Sequence, residues 1–186
     1  MHANIASTAT PRPLYTPEER VRRDSTRWTL VQGVLAPLQF FVFLVSVVLV
    51  LRFLQTGEGE TAATVSIVIK TLLLYTIMIT GCIWEKGVFG CYLFAPSFFW
   101  EDMFSMMVLA LHTTYLFALY TGNPSVHGQM VLALVAYLTY AINAGQFLLK
   151  LRAARLQHAK MTQDAAYASP SLPSDRKSTR LNSSHG

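Results

Sequence analysis

Four long apolar stretches, separated by short polar or glycine-containing segments, dominate the chain. No charged residue occurs between Trp28 and Leu51, and none occurs between Met103 and Leu149. One helical crossing of a bilayer core needs about 20 consecutive apolar residues. The pattern therefore predicts four transmembrane helices, at residues 30–54, 62–84, 98–120 and 126–149.

The segments between these stretches carry residues that favour turns. Gln55–Glu60 contains two glycines, Glu85–Pro96 contains two glycines and a proline, and Thr121–Ser125 reads TGNPS. Ahead of the first span, Thr16–Glu19 predicts a helix start, with threonine as the cap and proline at the first helical position. The basic helix that follows is expected to lie at the membrane surface.

Lysine and arginine are concentrated on one side of the predicted spans. They occur before the first span, at Lys86 between the second and third, and from Lys150 onward, whereas the other two connections carry only Arg52. Such residues favour the cytoplasmic side of a membrane. We therefore predict an all-α integral membrane protein, a four-helix bundle with both termini cytoplasmic and an N-terminal interfacial helix.

One membrane domain, residues 16–160, accounts for most of the chain. Residues 1–15 and 161–174 lack long apolar runs and are predicted to be disordered tails. The string DRKSTRLNSSH, residues 175–185, is the translation of a common sequencing adapter. Residues 175–186 are therefore treated as an adapter-derived artefact and excluded from functional reasoning.

Composition supports the membrane assignment and excludes two function classes. Only 13% of residues are charged, against about a quarter in a typical soluble domain. The net charge of +5 resides mainly in segments flanking the spans, which indicates topology control and not nucleic-acid binding. The two cysteines do not form a CxxC motif, so a thiol oxidoreductase is not favoured.

Three carboxyl groups are predicted to cluster where the second span ends and the third begins. Glu85 follows Trp84, and Glu101 and Asp102 follow Trp100. Like charges held close in partly apolar surroundings favour retention of a proton by one of them, and a protonated carboxyl is what a general acid requires. The alternative is an ordinary helix boundary, with an aromatic belt and end charges.

Two ionisable residues are predicted deep in the membrane, Lys70 in the second span and His112 in the third. Each lies roughly 12–13 Å from the outer end of its span, at about 1.5 Å per residue. Charged groups at such depth are costly, which favours function over a snorkelling lysine and a histidine bonded to another helix. Glu101, Ser105 and His112 fall on one stripe, along which a substrate could lie.

Other polar residues carry weaker signals. Amide side chains in the first and fourth spans are expected to form interhelical hydrogen bonds: Gln32, Gln39, Asn143 and Gln146. A haem b site is not favoured, because His127 lies near the outer surface and His112 is deeper. A proton-coupled multidrug exporter would need a carboxylate in the first span, where none occurs.

Beyond these patterns, residues 15–156 contain several long strings that resemble a single family: YTPEERVRRDSTRWTLVQGVLAPLQF (Tyr15–Phe40), KTLLLYTIMITGCIWEK (Lys70–Lys86), FGCYLFAPSFFWED (Phe89–Asp102), LALHTTYL (Leu109–Leu116) and INAGQFLLKLRAARL (Ile142–Leu156). They are similar to the 2-vinyl bacteriochlorophyllide hydratases, also called chlorophyllide a hydratases, of bacteriochlorophyll synthesis. The resemblance covers essentially the whole membrane domain.

The resemblance implies addition of water to the vinyl group of a chlorin, chlorophyllide a or a vinyl bacteriochlorophyllide, to give a 1-hydroxyethyl group. It implies no cofactor, since the magnesium belongs to the substrate. The expected location is the intracytoplasmic photosynthetic membrane of a bacterium. The expected partners are the substrate, the bilayer and other pigment-synthesis enzymes.

Joined to the residue patterns, the implied activity suggests roles for the carboxyl groups. Glu101 or Asp102 is expected to be the general acid, with Glu85 helping to keep it protonated. The partner carboxylate would orient water and stabilise the developing cation. We therefore expect Glu101→Gln to abolish hydration while leaving the protein inserted in the membrane.

The remaining candidates are expected to bind the substrate. His112 is the candidate axial ligand of the substrate's magnesium, and Lys70 or a basic interfacial residue would pair with its propionate. Ser105 lies on the stripe between His112 and the acid. Trp84 and Trp100 would pack on the ring. The alternative from another class is a non-catalytic pigment-binding or assembly factor that uses the same helices to hold chlorins.

Overall fold

The computed structural model describes residues 14–168, which form five helices and, within that range, no strand. The helices are α1 (Pro17–Ser25), α2 (Arg27–Thr56), α3 (Glu60–Phe89), α4 (Phe99–Thr121) and α5 (Val126–Ala168). Residues 1–13 and 169–186, which include most of the predicted tails and the adapter-encoded string, lie outside the described residues.

The start of α1 follows from its first four residues. The Thr16 hydroxyl accepts a hydrogen bond from the Glu19 amide at 3.2 Å, and the Thr16 amide donates to the Glu19 carboxylate at 2.8 Å. Pro17 occupies the first turn, where its missing N–H is not needed. The predicted helix start is confirmed. Extended backbone at Thr26 then separates α1 from α2.

Helices α2 to α5 are each long and apolar enough to cross a membrane. The four predicted spans are therefore confirmed in number, and the chain is a multi-pass membrane protein. Many large apolar side chains, such as Phe41, Val48 and Leu138, are exposed on the outside of the helices. In a soluble protein such a surface would aggregate, but against lipid it is the expected exterior.

Each of the four long helices continues past the end of its predicted span, α3 and α5 by the most. Helix α3 continues to Phe89, beyond the predicted limit of 84, and α5 continues to Ala168 through much of the segment predicted as a tail. The low apolar content shows only that residues 150–168 have little apolar surface to bury. Their alanine, arginine, leucine and glutamine are good helix formers, so the helix continues out of the apolar zone.

Glycines end three of these helices. Gly57, Gly90 and Gly122 follow α2, α3 and α4 in the left-handed backbone region, at φ of 73°, 84° and 65°. Short connections then place successive helices antiparallel. The closest associations are within two hairpins, α2–α3 and α4–α5, and the two hairpins meet less extensively along a seam between them.

The main apolar core joins all four long helices across this seam. It includes Phe43 and Val50 of α2, Ile67 of α3, Tyr115 of α4 and Tyr137 of α5. We call the end of the bundle formed by α1, the α3–α4 connection and Lys150 the basic end. The end with the α2–α3 and α4–α5 connections is the opposite end.

Candidate active site

The connection between α3 and α4, residues 90–98, places two consecutive backbone amides against two carboxyl groups at the basic end. The Phe94 amide donates to Asp102 Oδ2 at 2.7 Å, and the Ala95 amide lies near the Glu85 carboxyl. Phe94 has a φ of 61°, a left-handed conformation that few non-glycine residues adopt. Its bond to Asp102 helps to hold this strained turn.

The Glu85 and Asp102 side chains also lie within hydrogen-bonding reach of each other. An ionised carboxylate only accepts hydrogen bonds, so two carboxyl groups bond to each other only when they share a proton. Glu85 is 4% exposed, and its Oε1 has no hydrogen-bond partner among the described residues. The structure thus brings two of the three predicted carboxyl groups together in a shielded position that suits a retained proton.

The third carboxyl group, that of Glu101, points to a different helix. Its Oε2 lies 2.7 Å from Nζ of Lys150 on α5. The same ammonium lies 4.8 Å from the centre of the Phe98 ring. Adjacent residues on α4 therefore offer different chemistry, with Glu101 in an ion pair and Asp102 in a carboxyl pair.

Aromatic rings from Tyr15, from α3 and from the α3–α4 connection pack together at the basic end. Trp84 Nε1 donates to the Thr29 hydroxyl at 2.8 Å, which ties α3 to α2. Rings stacked or tilted against one another within 6.1 Å form a cluster that we call the aromatic wall: Tyr15, Trp84, Phe89 and Phe98. Trp100 lies outside this wall, with its side chain 69% exposed and its ring against Phe99.

The two deep basic residues, His112 and Lys70, each lie beside a tyrosine of α5 in the interior of the bundle. His112 Nδ1 is 2.8 Å from the Val108 carbonyl, which only accepts, so Nδ1 carries the proton and Nε2 has a free lone pair. The imidazole lies 5.8 Å from the Tyr137 ring, and Lys70 Nζ lies 3.6 Å from the centre of the Tyr140 ring. Neither Nε2 nor Nζ has a hydrogen-bond partner within the described part of the chain.

The predicted stripe on α4 exists and is covered by α5. Glu101 contacts Lys150, the Ser105 hydroxyl accepts from Asn143 Nδ2 at 2.9 Å, and His112 contacts Tyr137. A substrate therefore cannot lie along this stripe unless α4 and α5 separate. Ten residues, about 15 Å of helix, separate Asp102 from His112.

Sequence reasoning missed two features of the interior. Ser46 of α2 hydrogen-bonds both Ser66 of α3 and Tyr137 of α5, so three hydroxyl groups join three helices. Tyr15 was assigned to a disordered tail, but its side chain is buried in the aromatic wall. Serine and tyrosine are unremarkable in a membrane span, and nothing in the local sequence marks these contacts.

The predicted interhelical amides behave differently from one another. Gln32 Nε2 donates to the Thr80 hydroxyl at 2.8 Å, as an interhelical bond should. In contrast, the side-chain oxygens of Gln39, Asn143 and Gln146 are buried without a partner among residues 14–168. A cavity of about 330 Å³, lined in part by Glu60, Thr64 and Gln129, lies at the opposite end.

Comparison with known proteins places these features in a family. The family described as 2-vinyl bacteriochlorophyllide hydratase matches residues 15–153. A 2-vinyl bacteriochlorophyllide hydratase of Rhodobacter capsulatus is 68% identical over 156 residues, which cover 84% of this chain and 91% of that protein. One of Cereibacter sphaeroides is 70% identical over 152 residues, covering 81% and 94%. No solved structure matches the chain. The matched region runs from Tyr15 of the aromatic wall through all four spans, and the chain belongs to the 2-vinyl bacteriochlorophyllide hydratase family.

Proposed function

We propose that this chain is a hydro-lyase that adds water to the vinyl group of chlorophyllide a or a vinyl bacteriochlorophyllide in bacteriochlorophyll synthesis. Family membership supports the activity. The observation that supports the mechanism is the pair of Glu85 and Asp102, whose carboxyl groups lie within hydrogen-bonding reach of each other with Glu85 buried. Two carboxyl groups at such a separation favour retention of one proton. Hydration of an alkene begins with delivery of such a proton.

The chemistry needs only an acid, a water molecule and a base. The carboxyl pair gives its proton to the terminal vinyl carbon, and positive charge develops on the carbon attached to the macrocycle, which delocalises it. Water oxygen then bonds to that carbon, and the proton that water loses returns to the carboxylate pair. One water molecule is consumed, the pair is regenerated and no electrons are exchanged, so no cofactor is required.

Within this scheme Glu101 acts as a fixed negative charge. Its ion pair with Lys150 holds it in place, one residue from Asp102. A carboxylate oriented before the reaction stabilises a cation that develops nearby without reorganising. The acid is thus assigned to the pair of Glu85 and Asp102, and Glu101 is assigned to electrostatic stabilisation.

The substrate is a flat macrocycle, and it would enter the seam between the hairpins, which must separate to admit it because Lys70 and His112 are buried there. The aromatic wall, through Trp84, would pack on the ring at the vinyl edge. His112 offers a free Nε2 for the substrate's magnesium, and Lys70 an ammonium for its propionate. Ser105 lies between the two levels. Because about 15 Å separates Asp102 from His112, the ring must stand along the helix axes, with its vinyl edge toward the basic end.

The location follows from charge and from the substrate. The excess of lysine and arginine at the basic end supports a cytoplasmic location for that end and for both termini. Helix α1 would then lie at the interface. We place the protein in the intracytoplasmic photosynthetic membrane. An apolar macrocycle could pass there to other pigment-synthesis enzymes without crossing water.

One assay tests the function against its main alternative. Purified protein in detergent is incubated with chlorophyllide a in water enriched in heavy oxygen, and the pigments are analysed by mass spectrometry. A hydratase yields a 1-hydroxyethyl product that carries the heavy isotope. A non-catalytic pigment-binding or assembly factor shifts the absorption band of the chlorin and leaves its mass unchanged, which would reject the proposal.

A further inference from the structure

A polar stripe on α5 leads from the deep interior to the basic end. Tyr140, Asn143, Gln146 and Lys150 follow at intervals of three, three and four residues, so they share one face of the helix. The ends of the stripe are engaged, because Tyr140 lies under the Lys70 ammonium and Lys150 pairs with Glu101. Between these ends lie the side-chain amides of Asn143 and Gln146, which lack some of their hydrogen-bond partners.

Asn143 reaches the α4 stripe that carries Glu101 and Ser105 and faces α5. Its Nδ2 donates to the Ser105 hydroxyl, and Ser105 is three residues from Asp102 on the same helix. Gln146 lies one turn closer to the basic end on α5. The next residue, Phe147, has its ring 6.0 Å from that of Phe98 in the aromatic wall. The two amides therefore lie at the level of the proposed acid.

Both amides present an unused acceptor to the interior. Asn143 Oδ1 and Gln146 Oε1 are buried, and neither receives a hydrogen bond from any residue in the described range. A buried carbonyl oxygen without a donor is costly, so native proteins rarely keep one idle. The group that satisfies these oxygens must bring hydrogen-bond donors.

The chemistry of the reaction limits which group can donate hydrogen bonds to these two oxygens. The edge of a magnesium chlorin offers carbonyl oxygens and hydrocarbon, which are not donors, whereas a water molecule offers two O–H groups. A buried water is stable when it finds two to four polar partners. We propose that Asn143 and Gln146 are the positioning residues that hold the nucleophilic water, and afterwards the new hydroxyl group, beside the Glu85–Asp102 pair.

This inference rests on the proposed hydration and assigns its two steps to different residues. The carboxyl pair makes the cation, and the two amides deliver the water that captures it. If the water is misplaced, the cation loses a proton back to the carboxylate pair and vinyl substrate is re-formed. In heavy water that return leaves deuterium at the terminal vinyl carbon. The ratio of vinyl deuteration to hydration thus reports water placement separately from acid strength.

The experiment measures this ratio in deuterium oxide, early in the reaction, with the full chain in detergent and chlorophyllide a as substrate. We expect Asn143→Leu and Gln146→Leu to lower hydration and to raise the ratio at least tenfold. Gln32→Leu is the matched control, because Gln32 is already bonded to Thr80, and it should keep the wild-type ratio. Asn143→Ser keeps a shorter acceptor and should give an intermediate ratio.

Two results would overturn the inference. One is a leucine variant that hydrates at the wild-type rate. The other is a loss of hydration with an unchanged ratio, in the leucine variants or in Asn143→Ser, since that indicates structural damage and not misplaced water. Both outcomes leave the wild-type reaction intact. They are therefore distinct from a failure of the proposed function, in which the wild-type protein forms no alcohol.

Discussion

The carboxyl groups of Glu85 and Asp102 lie within hydrogen-bonding reach of each other, although they belong to different helices. In the connection between those helices, the Phe94 amide donates to Asp102 Oδ2, and the Ala95 amide lies near the Glu85 carboxyl. The pair is thus fixed by the turn itself and not by a chance approach of two flexible side chains. In the proposed mechanism this pair is the general acid, held in position before the substrate arrives.

The first prediction concerns this pair. Glu85→Gln and Asp102→Asn each keep the shape of the side chain but remove the shared acidic proton. We expect each to lower the rate of hydration by about 10²–10⁴, the usual contribution of general acid catalysis. Initial rates of hydroxyethyl product formation at saturating chlorophyllide measure the effect.

The matched control for the carboxyl pair is Glu58→Gln. Glu58 is an exposed carboxylate at the opposite end, where it lies 3.8 Å from Arg52. The Glu58→Gln variant should hydrate chlorophyllide at the wild-type rate. Near-normal rates in both Glu85→Gln and Asp102→Asn would remove the pair from the reaction, even if the family activity is observed.

The second prediction concerns the ion pair between Glu101 and Lys150. Its side chains are 13% and 28% exposed, so it lies between a surface pair and a fully buried one. Loss of one partner from a buried pair is strongly destabilising, and loss from a surface pair is not. We expect Lys150→Met to lower the free energy of unfolding by roughly 1–3 kcal/mol. Thermal unfolding in detergent measures it.

A charge swap separates the ion pair from other effects at these positions. The double variant Glu101→Lys with Lys150→Glu should recover part of the lost stability, because the attraction is restored in reverse. It should not recover hydration, since the negative charge is then on α5 instead of next to Asp102. Recovered activity would show that Glu101 serves only to join the two helices. Lys160→Met, in the exposed part of α5, is the control for stability.

The sequence predicted the number of spans well, because lipid imposes a simple rule. A helix must carry about 20 apolar residues to cross, and four stretches of the chain satisfy that rule. It predicted the lengths of the helices less well. Lys150–Ala168 is polar, yet α5 continues through it, since hydrogen bonding along a helix does not stop where the lipid does.

The candidate site was predictable in its membership but not in its pairing. Glu85, Glu101 and Asp102 were placed at one end of two spans, and proximity follows from the short connection. Periodicity could not show that Asp102 turns toward α3 while Glu101 turns toward α5. That choice depends on Lys150 and on the backbone amides of the turn, whose positions are set by tertiary packing. Trp100 was included because of its sequence position alone, and its side chain is largely exposed.

The third prediction concerns His112. Its Nε2 lone pair is the feature that could bind the magnesium of a chlorin. His112→Phe keeps a ring of similar size and removes a buried polar atom, so the protein should remain folded. We expect the variant to bind chlorophyllide at least tenfold more weakly, with an absorption band that lacks the shift caused by an axial ligand. Titration of the absorption spectrum measures both quantities.

His127 provides the comparison for this titration. It begins α5 at the opposite end, so His127→Phe should bind chlorophyllide as the wild-type protein does. A wild-type spectrum and affinity in His112→Phe would exclude His112 as the axial ligand. The buried imidazole would then be explained by its contacts with Val108 and Tyr137 alone.

The fourth prediction concerns Tyr15, which anchors the segment before α1. Its ring stacks on Phe89 at 5.8 Å, and the Arg23 guanidinium lies 4.7 Å from its centre. Tyr15→Ala should release α1 from the aromatic wall, because Tyr15 precedes α1 and α1 itself contains no buried side chain. We expect faster trypsin cleavage in α1, after Arg20 or Arg22. Val21→Ala, at an exposed position, should be cleaved as the wild-type protein is.

The last prediction tests the orientation in the membrane. With Cys82 and Cys91 replaced by serine, a single cysteine is introduced at Ser125, at the opposite end, or at Gln157, beyond the basic end; both positions are exposed. The excess of lysine and arginine predicts that Gln157 lies in the cytoplasm and Ser125 outside it. A membrane-impermeant maleimide should therefore label Ser125→Cys in spheroplasts with an intact inner membrane and label Gln157→Cys only after that membrane is permeabilised. The reverse pattern would place Glu85 and Asp102 on the far side of the membrane, so that a chlorin made in the cytoplasm would have to cross the bilayer before it met the acid.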